Sequence, residues 1–86
     1  MNKILMVEEE STVQKAQERL SLAGFELLHA YDGRHGFQMA RDKVPDLIIT
    51  AAMVPVMSGF ELCKAIKMDQ STNTIPIIVL TEKHRM

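Results

Sequence analysis

The residues able to do chemistry fall at a few places in the chain. Glu8-Glu9-Glu10 follow a short apolar run from Lys3 to Val7. Neighbouring carboxylates can bind a hard divalent cation through oxygen. The same three acids also suit a solvated loop just ahead of a helix, where the helix dipole favours negative charge. Thr50-Ala51-Ala52 close a second apolar run, and Thr81 closes a third. Thr50 and Ser58 carry hydroxyls that can in principle accept a phosphoryl group, but no adjacent base activates them. His29, His35 and His84 lack metal-ligand spacing and fall on separate segments, as surface or strand-tip residues. Cys63 reads as a small core residue and not as a nucleophile. No nucleophile–base pair or cofactor motif marks a hydrolytic or redox enzyme.

These groups need elements to position them. Asp46 to Thr50 is nearly unbroken in its apolar character and does not alternate, so both faces should be buried, as in a parallel sheet. Functional groups of such sheets gather at the carboxyl ends of the strands. Here that end is Thr50-Ala51-Ala52, followed by a loop through Pro55 that closes at Ser58-Gly59. Upstream, Lys3 to Val7 forms a strand. Ser11 or Thr12 is expected to cap a helix that carries Val13, Ala16, Leu20 and Ala23 on one face and stops at Gly24. Phe25 to Ala30 suits an edge strand with one wetter face. Asp32 caps a second helix that turns Phe37, Ala40 and Val44 inward and ends before Pro45. A third helix, about Phe60 to Met68, brings Phe60, Cys63 and Ile66 toward the sheet. After a polar loop, Ile75 to Thr81 is again continuously apolar, with Pro76 tolerated only near its start.

The sum is β-α-β-α-β-α-β, which predicts a parallel sheet with right-handed crossovers. Both continuously apolar runs read as interior strands, yet the second is the last strand and has no partner left for its outer side.

Composition narrows the function classes. The 86 residues suit one small domain, 47% are hydrophobic, and the net charge is −1, which gives no electrostatic case for nucleic acid or an anionic membrane. No apolar run is long enough to cross a bilayer, and the N-terminus does not read as a signal peptide. One cysteine allows no internal disulfide, so a cytoplasmic setting is expected. Seven methionines against one tyrosine and no tryptophan give a soft aliphatic core.

The chain resembles the receiver domain of two-component response regulators, of flavodoxin-like fold. Lys3-Ile4-Leu5-Met6-Val7-Glu8-Glu9-Glu10 is similar to the family's first strand and acidic pair. Pro45 to Thr50, Met53-Val54-Pro55 and Ser58-Gly59-Phe60-Glu61-Leu62 are similar to its central strand, phosphorylation loop and third helix. Pro76 to Thr81 is similar to its fourth strand, with Thr81 as the switch hydroxyl. The resemblance implies strand order 2-1-3-4, with residues 1–86 forming a receiver-like domain that lacks the last helix-strand-helix. It also implies transfer of a phosphoryl group from a histidine kinase to an aspartate at the end of the third strand. Mg²⁺ would be held by an acid, that aspartate and a backbone carbonyl.

Four departures follow from that resemblance. Ala51 stands where the phosphoacceptor aspartate belongs. Glu8 and Glu9 stand where two aspartates are usual, one methylene longer than the octahedral geometry of Mg²⁺ favours. Glu82 follows the switch threonine where a small residue is usual. The family's last helix, strand with its lysine, and helix are missing. The expectation is a phosphorylation-silent receiver that binds Mg²⁺ weakly or not at all, through Glu9 and the Met53 carbonyl. It would work by contact with a histidine kinase, an output domain or a second copy, through the Ile77 to Leu80 edge or a bare sheet face. The alternatives are a receiver phosphorylated on another residue, and a fragment or engineered variant of an ordinary one. The apolar loop residues Met53, Val54 and Met57 are either a contact surface or packing over the third helix.

Overall fold

The computed structural model of the chain describes residues 2–81. Four parallel strands, β1 (Lys3–Val7), β2 (Glu26–Ala30), β3 (Leu47–Ala51) and β4 (Ile77–Leu80), lie in the order β2-β1-β3-β4. They alternate with α1 (Glu10–Leu22), α2 (Gly33–Lys43) and α3 (Gly59–Met68). Register aligns Val7 with both Ala30 and Thr50, and Ala51 with Leu80. The four carboxyl ends are therefore level, and the segments leaving them share one edge of the sheet.

Strand alternation sorts the core into two layers. Leu5, Val7 and Ile48 face α2 and α3 and pack with Ala40, Leu62, Ile66 and Ile75. Ile4 and Met6 face α1 and pack with Val13, Ala16, Leu20, Leu47 and Ile49. The first layer is the larger and holds the fully buried Leu5, Ile48, Leu62 and Ile66.

The elements follow the sequence reading, while several facings differ from it. α1 begins at Glu10, with Glu9 at the capping position and no side-chain cap bond. Ser11 and Thr12 sit inside the first turn, and the Ser11 hydroxyl donates to Glu9 Oε1 at 3.4 Å instead. Ala23 lies past the last turn and is exposed. Val44 points outward, 54% exposed, in the left-handed region at φ 46°, because it closes α2 by donating its N–H to the Ala40 carbonyl. Pro45 behind it bars a further helical residue there. Phe60 is also exposed, because α3 turns Gly59, Leu62 and Ile66 inward and position 60 falls on the opposite side. Asp32 caps α2 as expected, its Oδ1 accepting from His35 N–H at 2.7 Å.

β4 is an edge strand in this sheet and not an interior one, and its exposure alternates, with Ile78 and Leu80 nearly half exposed. The run reads as uninterrupted because Ile75 belongs to the loop core, where it is buried, and the strand starts only at Ile77. Pro76 contributes its carbonyl, which accepts from Ile48 N–H at 3.0 Å. The preceding loop is tied down by the buried Thr72, whose hydroxyl donates to the Ile66 carbonyl at 2.8 Å, and by Lys67 Nζ donating to the Ile75 carbonyl at 2.9 Å.

Candidate functional site

Because the strand ends are level, Glu8 and Glu9 after β1, Tyr31 after β2, Ala51 at the end of β3 with Ala52 to Pro55 behind it, and Thr81 after β4 line one open cleft of about 490 Å³. Ala52 is the pivot of its wall. Its N–H donates to the Leu80 carbonyl at 2.9 Å, and its carbonyl accepts from Gly59 N–H at 2.9 Å. The β3–α3 loop is thereby sewn to β4 on one side and to the start of α3 on the other. Ser58 caps α3 in a reciprocal box: its hydroxyl accepts from Glu61 N–H at 3.1 Å, and its own N–H donates to Glu61 Oε1 at 2.9 Å.

The structure brings Glu8, Glu9, Ala51, Met53 and Thr81 to the same cleft. Thr50 is adjacent in sequence but fully buried, and its hydroxyl donates to the Ala51 carbonyl at 3.0 Å. Ser58 is committed to its cap. Neither is placed as a nucleophile. Cys63 is a partly buried free thiol on α3. Glu82 and His84 lie outside the described residues.

His29 and His35 fall on different elements, β2 and α2, and the tertiary structure sets both beside Tyr31. His29 Nε2 donates to the Glu8 carbonyl at 3.0 Å, which ties the acidic loop to β2. Its ring lies 4.3 Å from that of Tyr31, centroid to centroid, and Tyr31 lies 6.2 Å from His35 in a nearly parallel stack. The alternation of β2 hides this group, because its members come from a strand, a turn and a helix. One signal was available: Tyr31 directly follows a strand that ends at the cleft.

The residues do not fit Mg²⁺. Among the described residues no three His, Cys, Asp or Glu side chains converge on one point. Glu8 Oε1 accepts from Glu9 N–H at 3.2 Å, and Glu9 Oε1 from Ser11, so both carboxylates are drawn onto their own loop. Position 51 contributes a methyl group. A cation that demands near-octahedral oxygen at about 2.1 Å finds no such set.

The loop also carries backbone strain. Val56 is 74% exposed at φ 72°, a conformation hostile to a β-branched side chain. Val56→Asn should raise stability by about 1 kcal/mol, since asparagine tolerates the left-handed region and little burial is lost. Thermal unfolding checks this, and a lowered midpoint would show that the valine is held by contacts stronger than its strain.

A sequence profile described as the response regulator receiver domain matches residues 4–86. The alkaline phosphatase synthesis transcriptional regulatory protein PhoP of Bacillus subtilis is 36% identical over 85 residues, covering 96% of this chain and 35% of that protein. The chain thus spans about a third of the length of that curated relative. The solved chemotaxis response regulator CheY4 of Vibrio cholerae superposes with a TM-score of 0.89 at 36% identity, over 99% of this chain and 72% of that one. The receiver domain of the sensor histidine kinase PA1611 of Pseudomonas aeruginosa, solved with a magnesium ion coordinated in its active site cleft, gives 0.82 at 27% identity, over 93% and 66%.

Proposed function

The chain belongs to the response regulator receiver domain family, and from that premise we propose that it is a phosphorylation-silent receiver acting by protein contact. Receiver domains are signalling modules that work with histidine kinases and output domains. The observation that carries the silent reading is the Ala51 methyl group at the end of β3, facing the cleft that Glu8, Glu9 and Thr81 line. A methyl carbon has no lone pair to attack phosphorus and no charge to hold a metal. Thr81 then serves as a strand-end hydroxyl, since no phosphoryl group arrives for it to bind. Phosphorylation elsewhere is disfavoured by the burial of Thr50 and the capping role of Ser58. Intact mass after treatment with a small-molecule phosphodonor and Mg²⁺ tests this reading. A cytoplasmic setting fits, and no described helix is long and apolar enough to cross a membrane.

Contact with a second copy is favoured by one observation: among the described residues β4 has no neighbouring strand on its outer side. The Pro76 and Leu80 carbonyls face β3, so alternation turns the backbone groups of Ile77 and Val79 to the free side. Such an edge is a template for another strand. Light scattering should find a dimer, and Val79→Pro, which deletes one outward N–H, should return it to monomer. A native chain that is monomeric throughout would overturn the self-association.

A further inference from the structure

We propose that the Met53 thioether is a site of reversible oxidation, taking one oxygen from a hydroperoxide to become the sulfoxide at the mouth of the cleft. The inference concerns the chemistry of one side chain and stands whether or not the cleft accepts a phosphoryl group.

The chain has seven methionines, and the described ones sort by exposure. Met6 is 5% exposed and sits in the layer beneath α1. Met39 and Met57 are partly buried against the larger core layer. Met53 is 84% exposed and Met68 76%. Thioether oxidation follows access, because the oxidant must reach a sulfur lone pair. Close packing shuts that route at Met6.

Met53 is turned outward by its own loop. Ala52 before it is buried, with its N–H bonded to the Leu80 carbonyl and its carbonyl to the Gly59 N–H. Val54 after it packs on the larger core layer. Successive side chains of an extended segment alternate, so the residue between two inward ones points to solvent. In this apolar loop Val54 and Met57 serve the fold, and Met53 is the member left for surface chemistry. Position separates it from Met68 as well. Met53 lines the cleft with Pro55 and Leu80, whereas Met68 closes α3 and does not.

In the reaction a sulfur lone pair attacks one oxygen of hydrogen peroxide and the O–O bond breaks. The departing hydroxide takes the proton of the transferred hydroxyl and leaves as water. Sulfur is oxidised by two electrons and the peroxide is reduced. A sulfoxide reductase using a dithiol reverses the change, giving back the thioether with a disulfide and water. The sulfoxide is polar and chiral, so the apolar lip of Met53, Pro55 and Leu80 gains a hydrogen-bond acceptor. The surface that the cleft offers changes while the core stays as it was.

The test treats the native chain with heavy-oxygen-labelled hydrogen peroxide and assigns the label by digestion and tandem mass spectrometry, which tells Met53 from Met57 on a shared peptide. Met1 and Met86, outside the described residues, are read on their own peptides. Met53 and Met68 should gain label first, one oxygen each, and Met6 none until denaturant unfolds the chain. The two methionine sulfoxide reductases, one for each epimer, should remove the label from Met53 with dithiothreitol as the dithiol. Met53→Leu keeps the apolar bulk without the sulfur. Oxidised alongside, it carries every other modification and should melt at the same temperature as the oxidised native chain. Label on Met6, Met39 or Met57 ahead of Met53, or Met53 unlabelled where Met68 is converted, would overturn the site. A sulfoxide at Met53 that survives both reductases would overturn its reversibility. A lower melting temperature for the oxidised native chain than for oxidised Met53→Leu would show that the fold depends on the thioether, against the proposal.

Discussion

Incubated with acetyl phosphate and Mg²⁺, the native chain keeps its unmodified mass, and Ala51→Asp gains one phosphoryl group under the same conditions. The contrast rests on where position 51 lies. It ends β3, level with Leu80 in β4, and lines the cleft together with Glu8, Glu9 and Thr81. Phosphoryl transfer needs an attacking oxygen in line with the leaving group and positive charge to balance the equatorial oxygens. The native cleft has neither at its floor. The substitution supplies the oxygen, and with it a third carboxylate beside two that are at present held by their own loop. The Ala52 and Gly59 hydrogen bonds that set the backbone of this loop do not involve the side chain of residue 51, so the geometry should survive the change. A stoichiometric adduct on the native chain would overturn the silent reading and direct attention to another acceptor. An Ala51→Asp chain that also stays unmodified would mean that the longer acids at positions 8 and 9, or Glu82, silence the cleft independently.

Gly59→Ala should lower stability by about 3 kcal/mol, the upper part of the range for an overpacked site. A Cβ built there meets the Ala51 carbonyl oxygen in hard overlap, with the Ala51 carbonyl carbon at 3.0 Å and Ala52 Cα at 3.1 Å. All three are backbone atoms in the hydrogen-bonded wall of the cleft and cannot rotate aside. Relief requires α3 to back away from the end of β3. That would break the Gly59 N–H bond to the Ala52 carbonyl and loosen Leu62 and Ile66 in the larger core layer. In a domain of this size each kcal/mol moves the melting temperature by several degrees, so the drop should be roughly 15–20 °C. Gly24→Ala is the control. Gly24 has φ 94° but nothing within 4 Å of an added Cβ, so it should lose only about 1 kcal/mol through backbone strain. Circular dichroism melts compare the two. Equal losses would mean that the contact at Gly59 relaxes without cost to the fold.

The order and type of every element were legible in the sequence, because they depend on local signals. Uninterrupted apolar runs mark β3 and β4, the Tyr31-Asp32-Gly33 turn marks the start of α2, and Ser58-Gly59 marks the start of α3. The sheet order and the gathering of Glu8, Glu9, Ala51 and Thr81 came from the family resemblance, and the parallel register then places them at one level. Facing was less legible. Phe60 and Val44 are apolar at nearly helical spacing, yet α3 is rotated to bury Leu62 and Ile66, and Val44 is used to end α2. A helix's rotation is decided by what it packs against, and that partner comes from elsewhere in the chain. The same reason hid the His29–Tyr31–His35 group, which exists only because β2, its turn and α2 converge. It also hid a shallow groove lined by Lys15 on α1 and Ile49 on β3, more than thirty residues apart in sequence. Sequence alone determined the elements and their order along the chain. Tertiary structure decided which side chains meet, because a contact between distant segments depends on the packing of whole elements and not on the local pattern of either one.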